Sequence, residues 1–285
     1  DYSIDYAMTI LVNPDPNHTD YVKHFCMNCM KVNIVSKWMK YDETRKSAIQ
    51  RFAMEYIANN INDNLSIPSY VMVKFAEVFV EIMKRQWPQR WSNLYDELTA
   101  VMRKSSSQFY TGVMIFEFLL QEITDDSSSS RLAESRRHDL QSAFNSKGDM
   151  FIRFILYTMR NYTSNDSNGR RNLLECVRLF TVSTPLLLES TLKANFKDIT
   201  ASFNSFSLDE EILPEILAFL GNMAKVKYSS ANRSFALTVL SEIVDISGVL
   251  SSHFADQYGF YYIYKAYYLA VIDFCVSQKA LLSYW

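Results

Sequence analysis

The sequence predicts an all-α fold, and three observations predict it. The 285 residues include only six Gly and six Pro, about 4% together against roughly 12% in average usage, so the tight turns of sandwiches, barrels and propellers are missing. Apolar residues recur at three- and four-residue steps along most of the chain, the spacing that lines one face of a helix. No segment alternates apolar and polar residues with comparable strength. With 48% hydrophobic and 21% charged residues, the chain has enough apolar content for a sizeable core, as one large domain or two ordinary ones.

The elements follow in order. From Tyr21, the residues Val22, Phe25, Cys26, Cys29, Met30, Val32, Val35 and Trp38 predict one amphipathic helix. Asp42 suits the N-cap of a second, whose stripe is Ala48, Ile49, Phe52, Ala53, Tyr56 and Ile57, fraying in Asn59–Asn64. Pro68 suits the first turn of a third, with Met72, Phe75, Ala76, Phe79, Ile82 and Met83 as its stripe. Pro88 sets a fourth helix starting within 86–91 and running to about Lys104. Phe109, Val113, Phe116 and Leu120 define a fifth, which stops near Thr124. The serine tract 127–130 reads as a loop. A polar helix over 131–145 with Leu132, Leu140 and Phe144 then gives way at Gly148 to a more apolar segment. Residues 161–169 read as the clearest flexible loop. Leu173, Leu174, Val177 and Phe180 make the next stripe, Pro185 opens a short apolar segment, and Pro214 marks a helix start behind Asp209-Glu210-Glu211. Two stripes close the chain: Phe235, Val239, Leu240, Ile243 and Val244, then Phe260, Ile263, Tyr264, Tyr267, Tyr268, Val271 and Ile272.

That makes about eleven helices of roughly 15 to 20 residues, usually two per 40 to 45 residues, which is the period of a HEAT-like array. The expected architecture is therefore an α-α superhelix, a HEAT-like solenoid; a compact bundle is the other arrangement this period allows. The chain begins in mid-pattern at Tyr6–Val12 and finishes on the apolar Leu281–Trp285, whereas terminal repeats of a solenoid need a polar outer face. A piece of a longer array is the expectation.

Chemistry is sparse. The formal charge of −2 excludes a generally basic nucleic-acid coat while allowing local basic surfaces. No apolar run is long enough to span a membrane, residues 1–5 do not open a signal peptide, and four Cys do not make a disulfide framework, so a soluble protein in a reducing intracellular compartment is expected. Cys26 and Cys29, with His24 and His18, are a zinc candidate, but three-residue spacing on an apolar stripe reads as core packing. Cys176 and Cys275 read the same way. No G-x-S-x-G or phosphate-cradling glycine loop exists, and His138 and His253 stand isolated. The expectation is no enzyme, no metal and no cofactor.

Basic clusters remain as candidates for phosphate or acidic protein surfaces, because Arg offers a planar fork of donors. They are Arg45, Lys46 and Arg51; Arg131, Arg136 and Arg137; and Arg170 with Arg171. The aromatic run Tyr258–Tyr264 reads as packing between repeats rather than base stacking. The serines at 127–130 need no regulatory role to explain them.

Several blocks then resemble a family. Tyr21-Val22-Lys23-His24-Phe25, Lys37-Trp38, Met54–Asn59 and above all Glu81-Ile82-Met83-Lys84-Arg85-Gln86-Trp87-Pro88-Gln89-Arg90-Trp91 are similar to the N-terminal part of exportins, most of all those that carry pre-microRNA. The block Lys-Arg-x-Trp-Pro-x-x-Trp is the most specific, since it closes one amphipathic helix and opens the next. The similarity runs from about residue 20 to 145; beyond that only helix order persists. The resemblance implies a karyopherin of the importin-beta class that binds Ran-GTP and cargo together, exports structured RNA or protein cargo through nuclear pores and their proteins, and shuttles between nucleus and cytoplasm. Any GTP is carried by Ran. It implies early repeats over 1–105 that hold Ran, continuing exportin-1-like repeats over 106–285, and a Ran contact through the second helix of each pair. On that basis Arg45, Lys46, Gln50 and Arg51 are the expected Ran-binding residues, and Arg136, Arg137, Arg170 and Arg171 the expected RNA or phosphate contacts. The chain departs from the family in lacking an opening helix of the first repeat and in its segments 161–169 and 183–185.

Overall fold

The computed structural model describes residues 3–13, 19–65, 67–124, 132–162, 167–203, 209–226, 233–253 and 261–279. The serine tract 127–130, residues 163–166, the start of the aromatic run at 258–260 and the terminal 281–285 lie outside the described residues. Among the described residues the chain forms twelve α-helices and no strand. They are α1 (Ser3–Val12), α2 (Asp20–Lys37), α3 (Glu43–Asn60), α4 (Ser69–Gln86), α5 (Leu94–Met102), α6 (Ser106–Thr124), α7 (Glu134–Tyr162), α8 (Ser167–Ser183), α9 (Glu189–Phe203), α10 (Leu213–Lys225), α11 (Arg233–His253) and α12 (Tyr261–Ser277). Short 3₁₀ turns at Trp38–Lys40 and Thr184–Leu186 follow α2 and α8. The fold class is all-α and HEAT-like.

Two units divide the chain at residues 143 and 144, within α7. In the first, α4 packs along its length between α2 and α6, while α1, α3 and α5 form a second row that touches more lightly. An aromatic ladder joins the rows. Tyr56 of α3 meets Phe52 and Phe75 at 5.7 and 4.9 Å between ring centroids, Phe75 meets Phe79 at 5.9 Å, and Phe79 stacks on Trp91 at 5.7 Å. Such offset and edge contacts add to the burial of large apolar area. The stripes of α3, α4 and α6 are buried much as their spacing predicts. Asp42 caps α3, its carboxylate accepting the Arg45 N–H at 2.7 Å.

Polar clasps tie neighbouring turns together. The last carbonyls of a helix lack partners within it. Gln108 of α6, 2% exposed, reaches back to donate its amide to the carbonyls of Ile57 and Ala58 at the end of α3. The Asp63 carboxylate accepts the backbone N–H groups of Ser106 and Ser107 at the start of α6. In the second unit, Gln278 does for α10 what Gln108 does for α3, donating to Ala224 and Val226 carbonyls at 2.9 and 2.8 Å.

The second unit repeats the two-row plan, with α10 packed between α8 and α12. Its core joins Phe180, Phe196, Phe203 and Phe219, with Phe235 of α11 meeting Phe196 edge-on at 5.3 Å. Leu213, Leu217, Leu250 and Ile263 make a second cluster. Asp209 accepts the N–H groups of Glu211 and Ile212 ahead of α10, where Pro214 fills the first turn as expected.

Several expectations are corrected. The fourth helix begins at Leu94, later than Pro88 suggests. Trp87 is extended, as residues before proline prefer, and its N–H closes α4 on the Met83 carbonyl. Gly148 does not divide α7: a Cβ there would come within 2.9 Å of the Leu187 methyl, so glycine permits a close approach and not a break. Residues 161–162 and 167–169, read as loop, are helical. Phe25 and Val32 of α2 are 66% and 58% exposed, because Met27, Met30 and Ile34 form the face that α1 and α4 cover. The helix α9 went unread between Pro185 and Pro214, although Leu192, Phe196, Ile199 and Phe203 carry helical spacing.

Candidate partner interface

The turn after α4 is built from the most specific sequence block. Trp87 and Trp91 are buried, the Trp87–Pro88 bond is cis, and the Trp91 indole N–H donates to Glu97 at 2.9 Å. Arg136 of α7 holds this turn from outside. Its guanidinium donates to the Lys84 carbonyl at 2.7 Å, to the Trp87 carbonyl and to the Gln89 side chain, and Asp139 lies 3.8 Å away. Burial pushes the guanidinium pKa down against the opposing pull of Asp139. The helix-end carbonyls that α4 cannot satisfy are thus capped by an arginine about 50 residues later.

On α3, the four expected Ran-binding residues have unequal surroundings. Arg45 lies over the Tyr41 ring at 4.8 Å and pairs with Asp5 of α1 at 2.5 Å. Lys46 is buried and donates to Glu43 at 2.9 Å; Glu43 also takes Arg90 at 3.0 Å. The hydrogen bond from Lys46, with the nearby Arg90 charge, holds the Glu43 carboxyl below its ordinary range. Gln50 is half-buried, its amide nitrogen without a hydrogen-bond partner, and Arg51 is exposed with no ion pair among the described residues. The structure places these residues in the α1, α3 and α5 row.

The four expected phosphate contacts fall in two different units. Arg136 and Arg137 stand near the start of α7 in the first unit, whereas Arg170 and Arg171 open α8 in the second. Arg170 is exposed and pairs with Asp209 at 2.5 Å. Arg137 and Arg171 are half-buried.

One site escaped sequence reading. A recess of about 480 Å³ opens on the α2, α4 and α6 row, walled by Lys31, Glu77, Glu81, Glu122, Val80 and Phe118 among others. Lys31 and Lys74 both reach Glu77, at 2.9 and 2.7 Å. Lys84, 7% exposed, bridges Glu81 at 2.8 Å and Glu122 at 3.1 Å, and Arg85 takes the other oxygen of Glu81. Burial alone would raise the carboxyl pKa of Glu77 and Glu81, but the lysine and arginine contacts outweigh it and hold both below the ordinary range. The signal was Glu77, Glu81 and Lys84 at helical spacing in a helix otherwise apolar on its buried side.

Among the described residues the zinc candidate does not gather a ligand set. Cys26 is buried, where desolvation raises its thiol pKa, and His24 meets the Tyr70 ring at 5.6 Å; His18 lies outside the described residues. No group of three metal-ligating side chains gathers among the described residues. No helix is long and apolar enough to cross a membrane among them.

Paired helices in two rows, bound by buried glutamine and arginine clasps around a Trp-Pro turn, define an all-α helical-repeat protein. Part of the chain is similar to exportins. Residues 68–188 match the family described as Exportin 1-like protein, a stretch that contains α4, the Trp-Pro turn and Arg136. Exportin-5 of Dictyostelium discoideum is 28% identical over 142 residues, covering 49% of this chain and 12% of that protein. Exportin-5 of Homo sapiens is 25% identical over 139 residues, covering 49% and 11%. Protein EXPORTIN 1B of Arabidopsis thaliana is 23% identical over 153 residues, covering 53% and 14%. The matched stretch thus spans only about an eighth of the length of these relatives.

Proposed function

We infer that the chain is part of a nuclear export receptor that binds Ran-GTP and cargo cooperatively and shuttles between nucleus and cytoplasm through contacts with nuclear pore proteins. It carries no catalytic chemistry of its own, and the nucleotide belongs to Ran. The observation that carries this reading is the Lys84-Arg85-Gln86-Trp87-Pro88-Gln89-Arg90-Trp91 turn, in a region that matches the exportin family and held in one conformation by Arg136. The cargo we assign is structured small RNA such as pre-microRNA, in line with the similarity to exportin-5 proteins. Ran and cargo each favour the same state of the receptor, so each raises the affinity of the other by the same factor.

Within the chain, we assign residues 1–105 to Ran and 106–285 to the continuing repeats. Arg45, Lys46, Gln50 and Arg51 are the proposed Ran-binding face. Arg51 is exposed on that face, while Arg45 and Lys46 would exchange Asp5 and Glu43 for groups on the partner. Arg136, Arg137, Arg170 and Arg171 are the proposed RNA-phosphate contacts; such contacts read A-form shape and not sequence.

The test is capture of the chain on Ran loaded with GTP or GDP. Selective capture on the GTP form supports the reading. Equal or absent capture on both overturns it in favour of a non-transport HEAT scaffold. An RNA hairpin with an overhanging end, added with Ran-GTP, then separates RNA cargo from protein cargo.

A further inference from the structure

A second recess, in the other unit, carries chemistry that the export reading does not use. It has a volume of about 240 Å³ and lies between α9 and α11. One wall presents Lys193 and Lys197, a single helical turn apart on α9; the other presents Ser234 and Thr238, a turn apart on α11. The floor is the edge-to-face pair Phe196 and Phe235, both buried. Both lysines are exposed. The Ser234 hydroxyl has no partner among the described residues, while the Thr238 hydroxyl donates to the Ser234 carbonyl at 3.1 Å.

Two lysines and the Ser234 hydroxyl lining one recess suit a multiply charged anion that accepts several hydrogen bonds. One turn beyond Thr238 the character changes. Glu242 sits there near Asp245, and its carboxyl pKa is raised by burial and by the Asp245 charge, with Lys197 opposing. The cationic stretch is therefore short and bounded by acid. That is too small a footprint for a nucleic-acid duplex, whose binding energy comes from many phosphate contacts along a continuous basic surface. It matches one phosphorylated side chain. The apolar floor suits an aromatic or aliphatic side chain beside it.

We propose that the α9–α11 recess binds a phosphoserine- or phosphothreonine-bearing segment of a partner protein, the phosphate between Lys193, Lys197 and Ser234 and an adjacent apolar side chain over Phe196 and Phe235. The proposal is independent of Ran and of RNA cargo. The test is fluorescence anisotropy on the full chain with a labelled short peptide in which phosphoserine follows Phe. The comparisons are its unphosphorylated and Glu-substituted forms, inorganic phosphate and a labelled RNA hairpin. The phosphopeptide is expected to bind at least about tenfold more tightly than the unphosphorylated form, with the difference abolished in Lys193→Glu plus Lys197→Glu and kept in Lys193→Arg plus Lys197→Arg. Circular dichroism of both variants should match the parent. Equal binding of the two peptides, or a preference unaffected by the Glu variant, overturns the proposal. RNA binding lost in parallel in the same variant, without phosphopeptide preference, overturns it in favour of a nucleic-acid contact.

Discussion

Replacing Arg136 with Met is the sharpest structural perturbation available. The guanidinium donates to two main-chain carbonyls at the end of α4 and to the Gln89 side chain, with four-fifths of the side chain covered. Net hydrogen bonds to a charged donor are worth about 1.5–3 kcal/mol each, and bonds sharing one side chain do not add in full. Methionine preserves the aliphatic stem and removes the fork. The expected loss is about 2–4 kcal/mol, which with a urea slope of about 2–3 kcal/mol per molar lowers the first unit's midpoint by about 0.7–2 M. Three of the four Trp lie in this unit at positions 38, 87 and 91, two of them flanking the clasp, so tryptophan fluorescence during urea titration reports on it directly. Arg136→Lys should recover less than half of the loss, because a single ammonium cannot reproduce the fork. A midpoint within about 0.3 M of the parent would refute the claim that this arginine caps the Trp-Pro turn.

Further outcomes follow from the same geometry. Gln108→Leu should destabilise the first unit by about 1–3 kcal/mol in the same titration, because the carbonyls of Ile57 and Ala58 lose their buried donor. Lys84→Met should cost about 3–5 kcal/mol, since it leaves Glu81 and Glu122 facing one another with one cation fewer. Glu77 and Glu81 have folded-state pKa values below their unfolded ones, so their stabilisation is present above the ordinary carboxylate range and is lost as pH falls through the lowered folded values. A urea midpoint that declines on acidification below about pH 4, less steeply in Glu77→Gln, checks this. Thiol labelling of the native protein should modify exposed Cys275 and spare Cys176, whose burial pushes its thiol pKa up.

Legibility in the sequence followed how unequal the faces of each helix are. In α3, α4 and α6 the apolar stripe residues are mostly the ones the neighbouring helices cover, so spacing selects them, but it does not select the buried Lys46, Glu81, Lys84 and Glu117. In α2 and α12 apolar side chains occupy several faces. Periodicity cannot decide between Phe25 and Met27, or between Ile272 and Phe274; only the neighbouring helix decides. Between Pro185 and Pro214 the expectation is a short apolar segment, whereas Glu189–Phe203 forms the full helix α9. The candidate surfaces were legible as residue types but not as environments. That Lys46 is buried, or that Arg136 closes a turn about 50 residues earlier, depends on contacts that no local pattern encodes. The same holds for the Lys84 bridge between α4 and α6.

The central claim is that this chain belongs to a receptor whose early helices recognise Ran in its GTP form. The most direct measurement is the affinity of the chain for Ran-GTP and Ran-GDP, repeated with Arg45→Glu plus Arg51→Glu after circular dichroism shows unchanged helicity. The account predicts tight binding to the GTP form, at least about tenfold weaker binding to the GDP form, and loss of the GTP-form affinity in the double variant. Indistinguishable affinities for the two nucleotide forms would contradict it.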